Sequence, residues 1–75
     1  MSKKRIHTIP LHGGGWGNLS EGASHVPKKF ATKNEAQAVG LETAKRRHTE
    51  HIIHNKDGKI GSSNSYGTDP YPSKG

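Results

Sequence analysis

Six histidines stand among 75 residues, and three follow one another at a regular interval, His48-x-x-His51-x-x-His54. Imidazole nitrogen binds zinc, but a zinc site needs three or four donors converging at about 2.0–2.2 Å on one point. The chain has no cysteine, and Glu50 is the only carboxylate close by in sequence. A change from helix to strand is expected inside the cluster, and on a strand His51 and His54 point to opposite faces. We therefore expect no metal site and no cofactor here, only exposed strand and loop histidines.

Two other patterns invite a catalytic reading and do not sustain it. Gly13-Gly14-Gly15 lacks the Gly-Lys-Ser/Thr ending of a phosphate loop and does not open a helix. A hairpin turn accounts for it. Serine, histidine and aspartate all occur, but no nucleophile elbow or similar hydrolase context surrounds them. A chain this short has little room for an enclosed pocket, so catalytic residues are not expected and the protein reads as a non-enzyme.

The basic residues are more informative. Lysine and arginine number 12 against 6 acids, a net charge of +6. They gather as Lys3-Lys4-Arg5, as Lys28-Lys29 with Lys33, and as Lys45-Arg46-Arg47. A basic balance suits polyanions such as nucleic acid, although charge of this size also serves solubility. Lys28, Lys29, Lys33, Lys45, Arg46 and Arg47 are the candidate phosphate contacts. Trp16 flanked by cations could stack a base. Its expected burial argues against that role.

These residues are positioned by short elements. Arg5–Leu11 has the β-branched content of a strand, and Pro10 marks an edge or an end. The glycines close a hairpin onto a second strand, Trp16–Ser20. A short third strand is expected at His25-Val26. Thr32-x-x-Glu35 has the form of a capping box, so a helix should run from Lys33 to Arg47 or His48. Ala36, Val39, Gly40, Thr43 and Ala44 recur at helical spacing and define its inward face. Gly40 costs about 1 kcal/mol there relative to alanine, which a close approach of the helix to a sheet would explain. His51–His54 reads as a strand, Asp57-Gly58 as a hairpin turn, and Ile60 as the start of a return strand.

The expected fold class is α+β: a small antiparallel sheet with one helix on one face, in the order ββ(β)αββ. Residues 1–61 form the domain. Residues 62–75, rich in Ser, Gly, Pro and Tyr, form a disordered tail. The expected core is Ile6, Ile9, Trp16, Leu19, Val26, Phe30, Ala36, Val39, Ala44, Ile53 and Ile60. Only 27% of the chain is hydrophobic, well below the usual globular share of roughly 45–50%. That excludes a second domain and a membrane span. The basic start lacks the apolar stretch of a signal peptide, so a cytoplasmic location is expected. One helix cannot cover both faces of a sheet, and the open face or an edge strand invites a second copy. A homodimer is the expected partner arrangement.

The whole pattern resembles a known family. Gly14-Gly15-Trp16 follows a strand containing histidine, Thr32-x-x-Glu35-Ala36 opens the helix, and His51-Ile52-Ile53-His54-Asn55-Lys56-Asp57-Gly58-Lys59-Ile60 precedes Asn64-Ser65-Tyr66-Gly67-Thr68-Asp69-Pro70-Tyr71-Pro72. Together these are similar to the small bacterial and phage proteins of domain of unknown function 2188. The resemblance implies a ββαβ-type domain of bacterial or phage origin and brings no catalytic residues. Gly40 and Thr43 depart from the Ala and Leu expected on the buried helix face, which implies a weaker core. Tyr66, Pro70, Tyr71 and Pro72 form an aromatic-proline set able to dock on a partner. The functional expectation is a binding module for nucleic acid. The alternative is a modulator that engages a protein through a strand edge or this tail.

Overall fold

A computed structural model describes residues 4–66. Five strands and one helix follow in the order β1 (Ile6–Pro10), β2 (Trp16–Ser20), β3 (Lys29–Phe30), α1 (Lys33–Arg47), β4 (Glu50–His54) and β5 (Ile60–Ser65). The strands form one sheet in the order β3-β2-β1-β4-β5. The class is α+β, as expected, but the sheet is mixed. β1 pairs with β4 in parallel, Ile6 beside His51 and Thr8 beside Ile53, and the other pairings are antiparallel. The connection explains the difference. Two antiparallel steps make β3 run with β1, and the helix then crosses over the sheet and returns the chain in that direction as β4.

The glycine run closes the first hairpin because all three residues adopt positive φ, at 92°, 110° and 86°. Leu11 N–H donates to the Gly15 carbonyl at 2.9 Å across it. β1 lies at the centre of the sheet, and Pro10 ends it. The third strand is Lys29–Phe30, not His25-Val26, which lies in the connection before it. Phe30 pairs with Trp16, so the pairing resumes only after Pro27, which has no N–H to offer a ladder.

Thr32 caps the helix, its hydroxyl accepting from Glu35 N–H at 3.2 Å. The helix ends at His48, which takes the left-handed conformation with φ 54° and ψ 55°. Its N–H donates to the Ala44 and Lys45 carbonyls. Ala36, Gly40 and Ala44 form the buried stripe. Val39 does not join it and is 45% exposed. It sits one residue, about 100°, off that stripe, and the two-residue β3 is too short to cover it.

The buried apolar core is correspondingly small: Ile6, Ala36, Ala44, Ile52 and Ile53. Ile9, Trp16, Leu19, Val26 and Phe30 are half-buried. Ile60 is 64% exposed, because it starts β5 beside a register shift at Ile53/His54 and the helix does not reach that strand. β5 runs through Ser62–Ser65, residues expected to begin the tail. Tyr66 closes it, donating its N–H to the Thr49 carbonyl at 3.2 Å. The first part of the expected disordered tail is therefore an ordered strand; its remainder, with the candidates Pro70, Tyr71 and Pro72, lies outside the described residues.

Candidate nucleic-acid interface

The helix and the segment leading into β3 stand apart over one end of the sheet, and between them runs a groove of about 180 Å³. Its floor includes Ile6 and Asn18. Pro27, Lys28 and Phe30 form one wall, and Val39, Thr43 and Arg47 the helical wall. The exposed Val39 is thus an apolar surface of this groove. Lys28 and Arg47, which the sequence places in separate clusters at opposite ends of the helix, line the same cleft. Arg47 reaches back across it, its guanidinium donating to Ser20 Oγ at 3.0 Å.

The other candidate cations spread outward. Lys33 Nζ stands 5.3 Å above the Trp16 ring, where it takes the position a stacked base would need. Lys28 Nζ lies at the same distance over Phe30. Lys29 runs along Gly15, where an added β-carbon would come within 2.6 Å of its Cε. Lys45 is over the Tyr66 ring at 5.8 Å, on the helix's other flank, and Arg46 is exposed. Among the described residues none of these six cations forms an ion pair.

The histidine cluster does not converge. His48 caps the helix, His51 is buried under it, and His54 lies on the opposite face of the sheet. No group of three or more metal-ligating side chains comes together among the described residues. His51 is not an exposed strand histidine; it is 1% exposed. Its Nε2 meets Thr8 Oγ1 at 2.6 Å, Thr8 donates to Asn18 Oδ1 at 2.5 Å, and Asn18 Nδ2 donates to the Ala36 carbonyl at 2.8 Å. Because Thr8 spends its proton on Asn18, His51 must carry its own on Nε2. Its Nδ1 is buried and has no hydrogen-bond partner among the described residues. Burial, with His7 adding repulsion, lowers the His51 pKa and keeps the ring neutral.

On the uncovered face sits a polar cluster that sequence reasoning did not assemble. Glu21 pairs with Arg5 at 2.7 Å and with His7 at 2.9 Å, while Arg5 also approaches Glu50 at 3.8 Å. The hydrogen bonds from Arg5 and then His7 hold the Glu21 carboxyl down to about 2. His7 in turn meets His54. The signal in the sequence was the alternation Arg5, His7, Ile9, but grouping these with Glu50 and His54 needs the parallel register of β1 with β4.

A family model covers residues 6–66, the whole described domain but for two residues. The chain belongs to DUF2188, uncharacterised proteins conserved in bacteria. The matched span takes in every strand, the helix and both walls of the groove. No curated protein and no solved structure was found to match. Among the described residues of this DUF2188 domain, no helix is long and apolar enough to cross a membrane.

Proposed function

We propose that the protein is a small non-enzymatic binding module that holds nucleic acid in the groove between α1 and β3. The observation that carries this reading is the placement of Lys28 and Arg47 on facing walls of one cleft. Phosphate contacts position a nucleic acid, and apolar surface between them accommodates a sugar or base. Val39 offers that surface, and Phe30 adds to it only where Lys28 swings off its ring to a phosphate. Lys29, Lys33, Lys45 and Arg46 lie outside the groove, Lys45 on the helix's other flank, and add only to the general attractive field, consistent with a net charge of +6. In this reading the protein works in the bacterial cytoplasm. The test is the double variant Lys28→Gln/Arg47→Gln against a fluorescent oligonucleotide. Binding should weaken, and the slope of log affinity against log salt should flatten by roughly 2, one per lost phosphate contact. An unchanged affinity rejects the groove.

A second reading rests on β5. It is the outer strand of the sheet, all six residues are exposed, and Ile60-Gly61-Ser62-Ser63-Asn64-Ser65 carries neither charge nor proline. Edge strands are usually blunted by such residues. An open edge accepts another strand, from a second copy as a homodimer or from a different protein. Sedimentation at increasing concentration separates the cases: a doubled mass supports the dimer, and a constant monomer leaves the edge to a foreign strand.

A further inference from the structure

On the sheet face away from the helix, two imidazoles from adjacent parallel strands confront each other. His7 Nδ1 lies 3.1 Å from His54 Nε2, with ring centroids 5.3 Å apart and planes tilted by 40°. The outer nitrogens are both engaged by acceptors. His7 Nε2 meets the Glu21 carboxylate at 2.9 Å, and His54 Nδ1 meets the Gly58 carbonyl at 3.1 Å. A carboxylate and a carbonyl only accept, so each outer nitrogen carries a proton. The two inner nitrogens of neutral rings would then present lone pairs to each other. Two lone pairs at that distance repel, and one cation between them removes the conflict. A proton can fill the gap, as can a metal ion.

We propose that His7 and His54 chelate a late first-row transition ion, zinc being the probe of choice, His7 through Nδ1 and His54 through Nε2. The outer contacts match what metal-bound histidines ordinarily have, a second nitrogen donating to a carboxylate or a backbone carbonyl. These contacts fix the tautomer that leaves the inner nitrogen free to bind. The spacing also fits. Two Zn–N bonds of about 2.0–2.1 Å across a 3.1 Å gap subtend roughly 100° at the metal, which requires both rings to tilt a little further toward solvent. His7 is 20% exposed and the helix packs on the other face, so an ion has an approach and water can complete its coordination. Nitrogen donors select zinc, nickel or copper over magnesium or calcium. The His48-x-x-His51-x-x-His54 spacing is not involved, since only its last member belongs to the site.

The experiment is a zinc titration of the full chain read by long-range proton–nitrogen NMR of the imidazole rings. Saturable shifts of His7 Nδ1 and His54 Nε2 are expected, with His7 Nε2 and His54 Nδ1 remaining protonated. By calorimetry, His7→Ala and His54→Ala should each lower zinc affinity at least about tenfold, and Glu21→Gln roughly 10–100-fold. A variant with His12→Gln, His25→Gln and His48→Gln should bind as the parent does. Zinc shifts confined to those exposed rings, or no saturable shift on the parent chain, would overturn the site. The ring spectrum of the parent decides this even if an alanine variant fails to fold.

Discussion

Gly40 lies directly over His51: a β-carbon on Gly40 would stand 2.7 Å from His51 Nε2. The same carbon would meet Asn18 Oδ1 at 2.5 Å and Thr8 Oγ1 at 2.9 Å. The helix is therefore seated on a polar cluster rather than on a greasy floor, and the missing side chain at position 40 is what lets it come so close. Gly40→Ala gains about 1 kcal/mol in helix propensity and forces three hydrogen-bonded groups apart. We expect a net loss of about 1–3 kcal/mol, the cost typical of overpacking. Urea unfolding measures it; a stabilised variant would mean that the helix stands further from the sheet.

The two helix ends make opposite predictions. Thr32→Ala removes the hydroxyl that accepts from Glu35 N–H and should cost about 0.5–2 kcal/mol. His48→Gly relieves a non-glycine residue held at φ 54° and should gain about 0.5–1 kcal/mol, less than the roughly 1–2 kcal/mol steric penalty because glycine is freer when unfolded. Thermal melts of both variants check the signs.

Acid should weaken the fold in two steps. His51 has its folded pKa lowered from 6.5 by burial, so the unfolded chain binds the proton more readily. Its contribution is complete above pH 6.5 and declines as the pH falls toward the lowered value. Glu21 is lowered from 4.5 to about 2 by Arg5 and His7, so its contribution is complete above pH 4.5 and is lost on the way down to about 2. Denaturation midpoints taken between pH 8 and pH 2 should show both declines. His51→Gln should abolish the upper one, and Glu21→Gln the lower one.

What the sequence disclosed depended on distance along the chain. The helix, its threonine cap, the glycine hairpin and the Asp57-Gly58 turn are local, and each was readable from a few neighbouring residues. The close approach at Gly40 was readable too, because a glycine inside a helix needs a reason. The parallel pairing of β1 with β4 was not, since it joins segments some 45 residues apart in contact and follows only from the crossover. Everything that depends on that register stayed hidden: the burial of His51 beneath the helix, the meeting of His7 with His54, and the approach of Arg5 to Glu50. The basic clusters were visible as counts. That Lys28 and Arg47 would share one groove depended on the helix lying back across β2.

The most direct test of nucleic-acid binding is an amide NMR titration of the protein with short single-stranded and double-stranded oligonucleotides at about 150 mM salt, where screening removes weak long-range attraction. The account predicts saturable shifts concentrated at Lys28, Phe30, Val39, Thr43 and Arg47. A silent titration, or shifts scattered over every exposed lysine without saturation, would contradict it and reduce the positive charge to a matter of solubility.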